Sequence, residues 1–128
     1  MIHQELSEKV IGCSYRVYNR MGFGYEESVY ENCMMIELRK LGIHAKQQVP
    51  IEVFYEGEPV GHFRADILVA DTLIVELKSI RAVAPAHEAQ LVNYLVSTGK
   101  DVGLLLNFAD TKVEVKRKTR LLGQDRAE

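Results

Sequence analysis

The sequence predicts an α/β fold, a mixed sheet flanked by helices, and three observations carry that expectation. Apolar residues recur at helical spacing in two segments before Gly42. The runs between Gln47 and Lys78 alternate at the period of a strand. A third helical segment, bounded by Pro85 and Gly99, leads into Val102-Gly103-Leu104-Leu105-Leu106, which is apolar on both faces and fits a strand covered by helices.

The first helix spans about Gln4 to Met21, with Leu6, Val10, Cys13, Val17 and Met21 at alternating steps of four and three. Gly22-Phe23-Gly24 breaks that pattern, Tyr25-Glu26-Glu27-Ser28-Val29-Tyr30 opens a second helix, and Gly42, after Leu41, supplies its C-terminal cap. Gln47 to Tyr55 alternates with Val49, Ile51 and Val53 on one side. Glu56-Gly57-Glu58 turns the chain into a strand ending near Ala70, and Ala70-Asp71-Thr72 is a short hairpin loop before Ile74 to Lys78, giving three antiparallel strands. Pro85 occupies the favoured first-turn position of the next helix. Val113 and Val115 alternate in a last, edge strand. Residues 1–128 show no repeat, linker or low-complexity stretch and are expected to form a single domain.

Glu76 and Lys78 share one face of an otherwise apolar strand. With Asp71 at the centre of the hairpin, Asp66 lies opposite Glu76, with Cβ atoms roughly 5 Å apart. Charges inside apolar strands lose hydration and persist when paired, hydrogen-bonded or bound to a metal. Two carboxylates so close repel unless a cation separates them, and an oxygen-only donor set suits magnesium or manganese. Beside such an ion Lys78 has a role in orienting water or stabilising charge on a phosphoryl oxygen. The competing reading is a salt-bridge ladder in which Glu76 pairs with Lys78 or Arg64.

Glu27 falls on a stripe with Tyr30, Met34, Leu38 and Leu41 that should face the core; its alternative role is as a first-turn acid that complements the helix dipole. Gln90 and Tyr94 are four apart and share the helix face turned toward the sheet. The plainer readings are a strand-edge cap for Gln90 and a half-buried core aromatic for Tyr94.

These segments resemble a family. Gly24-Tyr25-Glu26-Glu27-Ser28-Val29-Tyr30 fits the Gly-x-x-Glu-x-x-Tyr signature of the bacterial GxxExxY proteins, and Arg64-Ala65-Asp66, Val75-Glu76-Leu77-Lys78 and His87-Glu88-Ala89-Gln90-Leu91 follow in that family's order and spacing. The resemblance runs from about Leu6 to about Lys118. It implies a branch of the PD-(D/E)XK nuclease-like superfamily and a restriction-endonuclease-like αβββαβ sandwich. Asp66 matches the aspartate of the second core strand, and Glu76 and Lys78 match the Glu-x-Lys of the third. Glu27 matches the first-helix glutamate that completes the metal site, and Gln90 with Tyr94 matches the Gln-x-x-x-Tyr helix of exonuclease-like branches. Phe23 stands where a proline is frequent and Tyr18 where a histidine is frequent.

The resemblance and the residues together lead to an expectation of a Mg2+- or Mn2+-dependent nuclease acting on DNA or RNA. Glu27, Asp66, Glu76 and the Leu77 carbonyl are the expected metal ligands. Asp66, Glu76, Lys78 and Gln90 are the expected catalytic groups, and Tyr94, Lys116 and Lys118 the expected substrate contacts. The alternative is a non-catalytic module that keeps the fold and binds nucleic acid or protein, and a homo-oligomer or partner protein is left open. A net charge of −2 argues against a general nucleic-acid binder, whereas Lys112, Lys116, Arg117, Lys118 and Arg120 concentrate positive charge on the last strand. Lysines on an edge strand also serve simply to block edge-to-edge pairing. No apolar run reaches the ~20 residues of a membrane span and no signal peptide is evident, so a cytoplasmic location is expected. Cys13 and Cys33 lack zinc-ligand spacing and read as small hydrophobes.

Overall fold

Helices α1 (Gln4–Met21) and α2 (Glu27–Lys40) open the chain, followed by strands β1 (Ala45–Tyr55), β2 (Glu58–Val69) and β3 (Leu73–Lys78), helix α3 (Pro85–Thr98), and strands β4 (Val102–Phe108) and β5 (Val113–Thr119). The computed structural model describes residues 3–121. The strands form one mixed sheet in the order β1-β2-β3-β4-β5, antiparallel except for the β3–β4 pair that brackets α3. The expected α/β sandwich is therefore present, with β1 beginning at Ala45 instead of Gln47 and β4 continuing to Phe108. No helix among the described residues is long and apolar enough to cross a membrane.

Two cores lie on the two faces of the sheet. Val10, Cys13 and Val17 of α1 and Tyr30, Met34 and Leu38 of α2 pack on Ile67, Val69, Val75, Leu77, Leu104 and Leu106. On the other face Leu91, Tyr94 and Leu95 of α3 pack on Ile51, Ala65, Leu68, Ile74 and Leu105. Strand β4 is buried throughout because it is covered from both sides. Cys13 is buried and Cys33 half-buried, both as free thiols.

The Gly-x-x-Glu-x-x-Tyr segment is explained by this packing. Gly24 adopts φ +116°, which residues with a Cβ rarely tolerate. Tyr30 is fully buried, stacks on Phe108 with ring centroids 4.2 Å apart, and its hydroxyl donates to the Gly22 carbonyl. Gly and Tyr thus tie the α1–α2 turn to the end of β4. The expectation that Glu27 and Leu41 face the core is not met, since both are exposed. They lie at the two ends of α2, beyond the part that the sheet covers.

The β1–β2 ribbon changes the face it presents at one level. Gln47 pairs with Ile67 and Val49 with Ala65, but between them Gln48 takes φ 54°, a left-handed conformation uncommon for a side chain of this type. Ile67 and Val69 point into the α1–α2 core, whereas Ala65 and Ile51 join the α3 side. Asp66, opposite Gln48, sits at the switch.

Helix α3 packs tightly on the sheet at Gly103, where a Cβ would lie 2.7 Å from Leu91 Cδ1 and 3.3 Å from the Ile74 carbonyl. Gly103→Ala is expected to lower stability by about 1–3 kcal/mol through overpacking, measured as a drop in urea midpoint; an unchanged midpoint would contradict this packing.

Candidate active site

The hairpin that presents the acidic residues is built by its turn. Ala70 and Asp71 both adopt left-handed φ, 52° and 57°, and the Thr72 amide donates to the Val69 carbonyl at 3.0 Å. This centres the hairpin on Asp71 and sets the pairs Val69–Leu73, Leu68–Ile74 and Ile67–Val75. One step further Asp66 faces Glu76, the register expected from the sequence.

At that step carboxylates replace backbone pairing. The Asp66 amide donates to Glu76 Oε2 at 3.0 Å, and the Leu77 amide donates to Asp66 Oδ2 at 2.8 Å. Each acid thus accepts a bond from the backbone of the opposite strand, and the strands part around the two side chains. A residue's amide and carbonyl project to the same edge of a strand, so the Leu77 carbonyl is directed toward the Asp66 side as well. Ile74 packs on the α3 side while Val75 and Leu77 pack on the other, which puts Glu76 and Lys78 on the α3 face.

Glu76 lacks an ion-pair partner among the described residues, so the proposed ladder to Lys78 or Arg64 is not formed. Arg64 instead donates to the Gln48 carbonyl at 3.0 Å. Burial, and then the adjacent Asp66 charge, push the Glu76 carboxyl up to about 8, against the opposing influence of the Asp66 amide and Lys78. Glu27 adds a smaller upward influence.

Glu27 itself stands exposed on the first turn of α2, at the rim of a depression of about 600 Å³ lined by Phe23, Gly24, Tyr25, Glu26 and Ser79. The acid that α2 buries is Glu31, one turn later and 8% exposed. Its carboxylate accepts from Gln47 Nε2 at 2.7 Å and Gln48 Nε2 at 2.8 Å, and Gln48 Nε2 also reaches Asp66 Oδ1 at 3.3 Å. Burial raises the Glu31 carboxyl, and the two glutamine bonds oppose that rise. Glu31 was legible as a candidate, because it shares a helix face with Glu27 at i+4, Met34 at i+3 and Leu38 at i+7. Among the described residues no three acid, histidine or cysteine side chains are arranged to hold a metal ion by themselves. The acids brought together are Asp66 and Glu76, with Glu31 linked to Asp66 through Gln48.

Asn107, also unanticipated, is fully buried on β4 and paired in register with Lys78. Its amide bonds both the amide and the carbonyl of Ile80 at 2.9 Å and donates to Glu114 Oε1 at 2.8 Å, and Glu114 in turn accepts from the Val83 amide. This clamp fixes the path from Lys78 to α3. On α3, Tyr94 is buried, and burial together with the charges of Glu76 and Asp66 raises its hydroxyl while a Gln90 bond opposes the rise. Lys116 and Lys118 are on β5, two strands from β3. Lys118 pairs with Glu88 of α3 at 2.6 Å.

Three comparisons bear on this geometry. The sequence profile described as the PD-(D/E)XK nuclease superfamily matches residues 4–118. No curated protein matches the chain significantly. The crystal structure of SSO0001 superposes with a TM-score of 0.53 over 91% of this chain, at 16% identity, a likeness of fold alone; the chain spans 58% of that protein's length.

Folded Glu76 keeps its proton up to about pH 8, whereas an unfolded glutamate releases it near 4.5. The native state therefore holds the extra proton between those values, and the associated stability is complete below about 4.5 and lost as pH rises toward 8. In metal-free buffer, wild type is expected to lose more stability than Glu76→Gln between pH 5 and 8, by urea denaturation. Equal pH slopes would contradict this assignment.

Proposed function

Because the chain belongs to the PD-(D/E)XK nuclease superfamily, we propose that it is a nuclease of the GxxExxY branch that uses Mg2+ or Mn2+ to hydrolyse phosphodiester bonds in DNA or RNA. The observation that carries this reading is the pairing of Asp66 with Glu76 at the point where the β2–β3 ladder opens, with Lys78 on the same face as Glu76 and with Glu76 unpaired by any cation among the described residues. A proton held on a half-buried carboxyl to about pH 8 is what a hard cation would displace. The oxygen-only donors fit such an ion. Asp66, Glu76 and the Leu77 carbonyl would hold it, with Glu31 and Glu27 of α2 completing the acidic wall.

A bound divalent ion supplies charge stabilisation at the phosphoryl oxygens and lowers the pKa of a ligated water. The residues around it do the rest. The backbone amides of Asp66 and Leu77 hold the two carboxylates in fixed orientations. Lys78, which shares their cleft, orients the attacking water and stabilises charge developing on phosphate during in-line displacement. Gln90, bonded to Tyr94, would orient the phosphate or the lysine. Glu31 positions Asp66 through Gln48.

Incubation with labelled DNA and RNA oligonucleotides in Mg2+ or Mn2+ tests the proposal. Wild type is expected to cut at least one of them, and Asp66→Asn and Lys78→Met to lose about 100-fold or more. Retained binding without cleavage by the wild type would replace the enzyme with a non-catalytic binding module. Manganese should also raise the melting temperature of wild type at saturating concentration, a stabilisation of about 3 kcal/mol at a hundredfold excess over Kd, and should leave Asp66→Asn unmoved. A shift that persists in that variant would place the ion elsewhere.

A further inference from the structure

Beside the acidic pair, on the α3 face, lies a cavity of about 370 Å³ lined by Phe54, Phe63, Gln90, Asn93, Tyr94 and Ser97 together with Val53 and Val96. None of these side chains carries a charge. Phe63 and Tyr94 set its aromatic wall, with ring centroids 5.6 Å apart and planes tilted by 42°. Phe63 and Phe54 are 41% and 60% exposed, a costly presentation of large aromatic surface next to a charged cleft. The cavity lies near the acidic pair: Tyr94, which lines it and is bonded to Gln90, feels the charges of Glu76 and Asp66, and Phe63 precedes Asp66 by three residues on β2.

A phosphate would need cations or a row of backbone amides, and this cavity is walled instead by ring faces, two carboxamides and two hydroxyls. Those groups suit a flat, neutral, hydrogen-bonding ring. Bases of a duplex expose only their edges, so stacking on a side chain requires an unpaired base. A carboxamide offers a donor and an acceptor side by side, which matches the adjacent donor and acceptor on the edge of such a base.

We propose that this cavity is a nucleobase subsite, so that the enzyme takes single-stranded nucleic acid or unpaired nucleotides and stacks one base on Phe63 while the adjoining phosphate lies at Asp66, Glu76 and Lys78. The inference rests on the nuclease reading and narrows its substrate to strands with free bases. It also supplies the binding surface that Lys118, engaged by Glu88, does not.

Binding is measured by fluorescence anisotropy in calcium buffer at fixed salt, with a twelve-nucleotide thymidine strand, the same strand in a duplex, and an abasic strand of equal length. The thymidine strand is expected to bind wild type at least tenfold tighter than the duplex or the abasic strand. Phe63→Leu, which keeps apolar volume and loses the ring, should weaken the thymidine strand about tenfold, in line with ~1–3 kcal/mol per stacked base, and leave the abasic strand unchanged. Equal affinity for duplex and single strand, or an equal loss on the abasic strand, would overturn the subsite. Should Phe63→Leu lower the melting temperature, Phe54→Ala on the exposed rim replaces it, with the same expected pattern. Cleavage of duplex by wild type and Phe63→Leu alike would reject the subsite and keep the nuclease; no binding or cleavage of any strand would reject both.

Discussion

Two backbone amides that a longer β ladder would have bonded to carbonyls are given to carboxylates instead: Asp66 N–H to Glu76, and Leu77 N–H to Asp66. The rest of the site follows from that exchange. It ends regular β2–β3 pairing at Ile67 and Val75, holds two acids side by side without a salt bridge, and turns the Leu77 carbonyl toward the gap. The cost of gathering negative charge in a half-buried place is visible in the Glu76 carboxyl, pushed up to about 8 by lost hydration and then by Asp66. Partial burial and a like charge nearby both favour the protonated form.

The surrounding fold maintains the arrangement from both faces. From α2, Glu31 accepts from Gln47 and Gln48 of β1, Gln48 alone reaches on to Asp66, and Gln48 holds a left-handed backbone at the level where the β1–β2 ribbon changes face. A non-glycine residue in that conformation persists when its surroundings fix it, and such strain concentrates at functional sites. Arg64 binding the Gln48 carbonyl and Gln48 binding Glu31 are two of those restraints. From α3, Tyr94, bonded to Gln90, lies close enough to feel the charges of both acids, while Asn107 anchors the connection that brings α3 into place.

Much of this was legible in the sequence because it is local. The Ala70-Asp71-Thr72 turn fixes the hairpin centre, and period-two arithmetic then brings Asp66 opposite Glu76 and puts Lys78 on the same face. Helix limits at Pro85 and Gly99 follow from proline geometry and glycine's access to positive φ. The helix-face stripe was ambiguous for a physical reason. Glu27 and Glu31 both lie on the face of Tyr30, Met34 and Leu38, and only the extent of sheet beneath α2 decides which is buried. That extent depends on β1 starting at Ala45 and kinking at Gln48, a left-handed glutamine that no propensity anticipates. Asn107 escaped notice because one asparagine in an apolar strand gains its meaning from the loop it bonds, 27 residues away. Lys116 and Lys118 illustrate the reverse: the basic stretch is real in sequence, but strand order carries it two strands from β3 and Glu88 engages Lys118.

The most direct test of the central claim, that Asp66 and Glu76 share a cation, is a crystal structure grown with manganese and phased for its anomalous signal. A peak bonded to both carboxylates and to the Leu77 carbonyl is expected, at a distance close to the roughly 2.0–2.1 Å of magnesium–oxygen bonds. Absence of a peak there at saturating manganese, with Glu76 still bonded to the Asp66 amide, would contradict it.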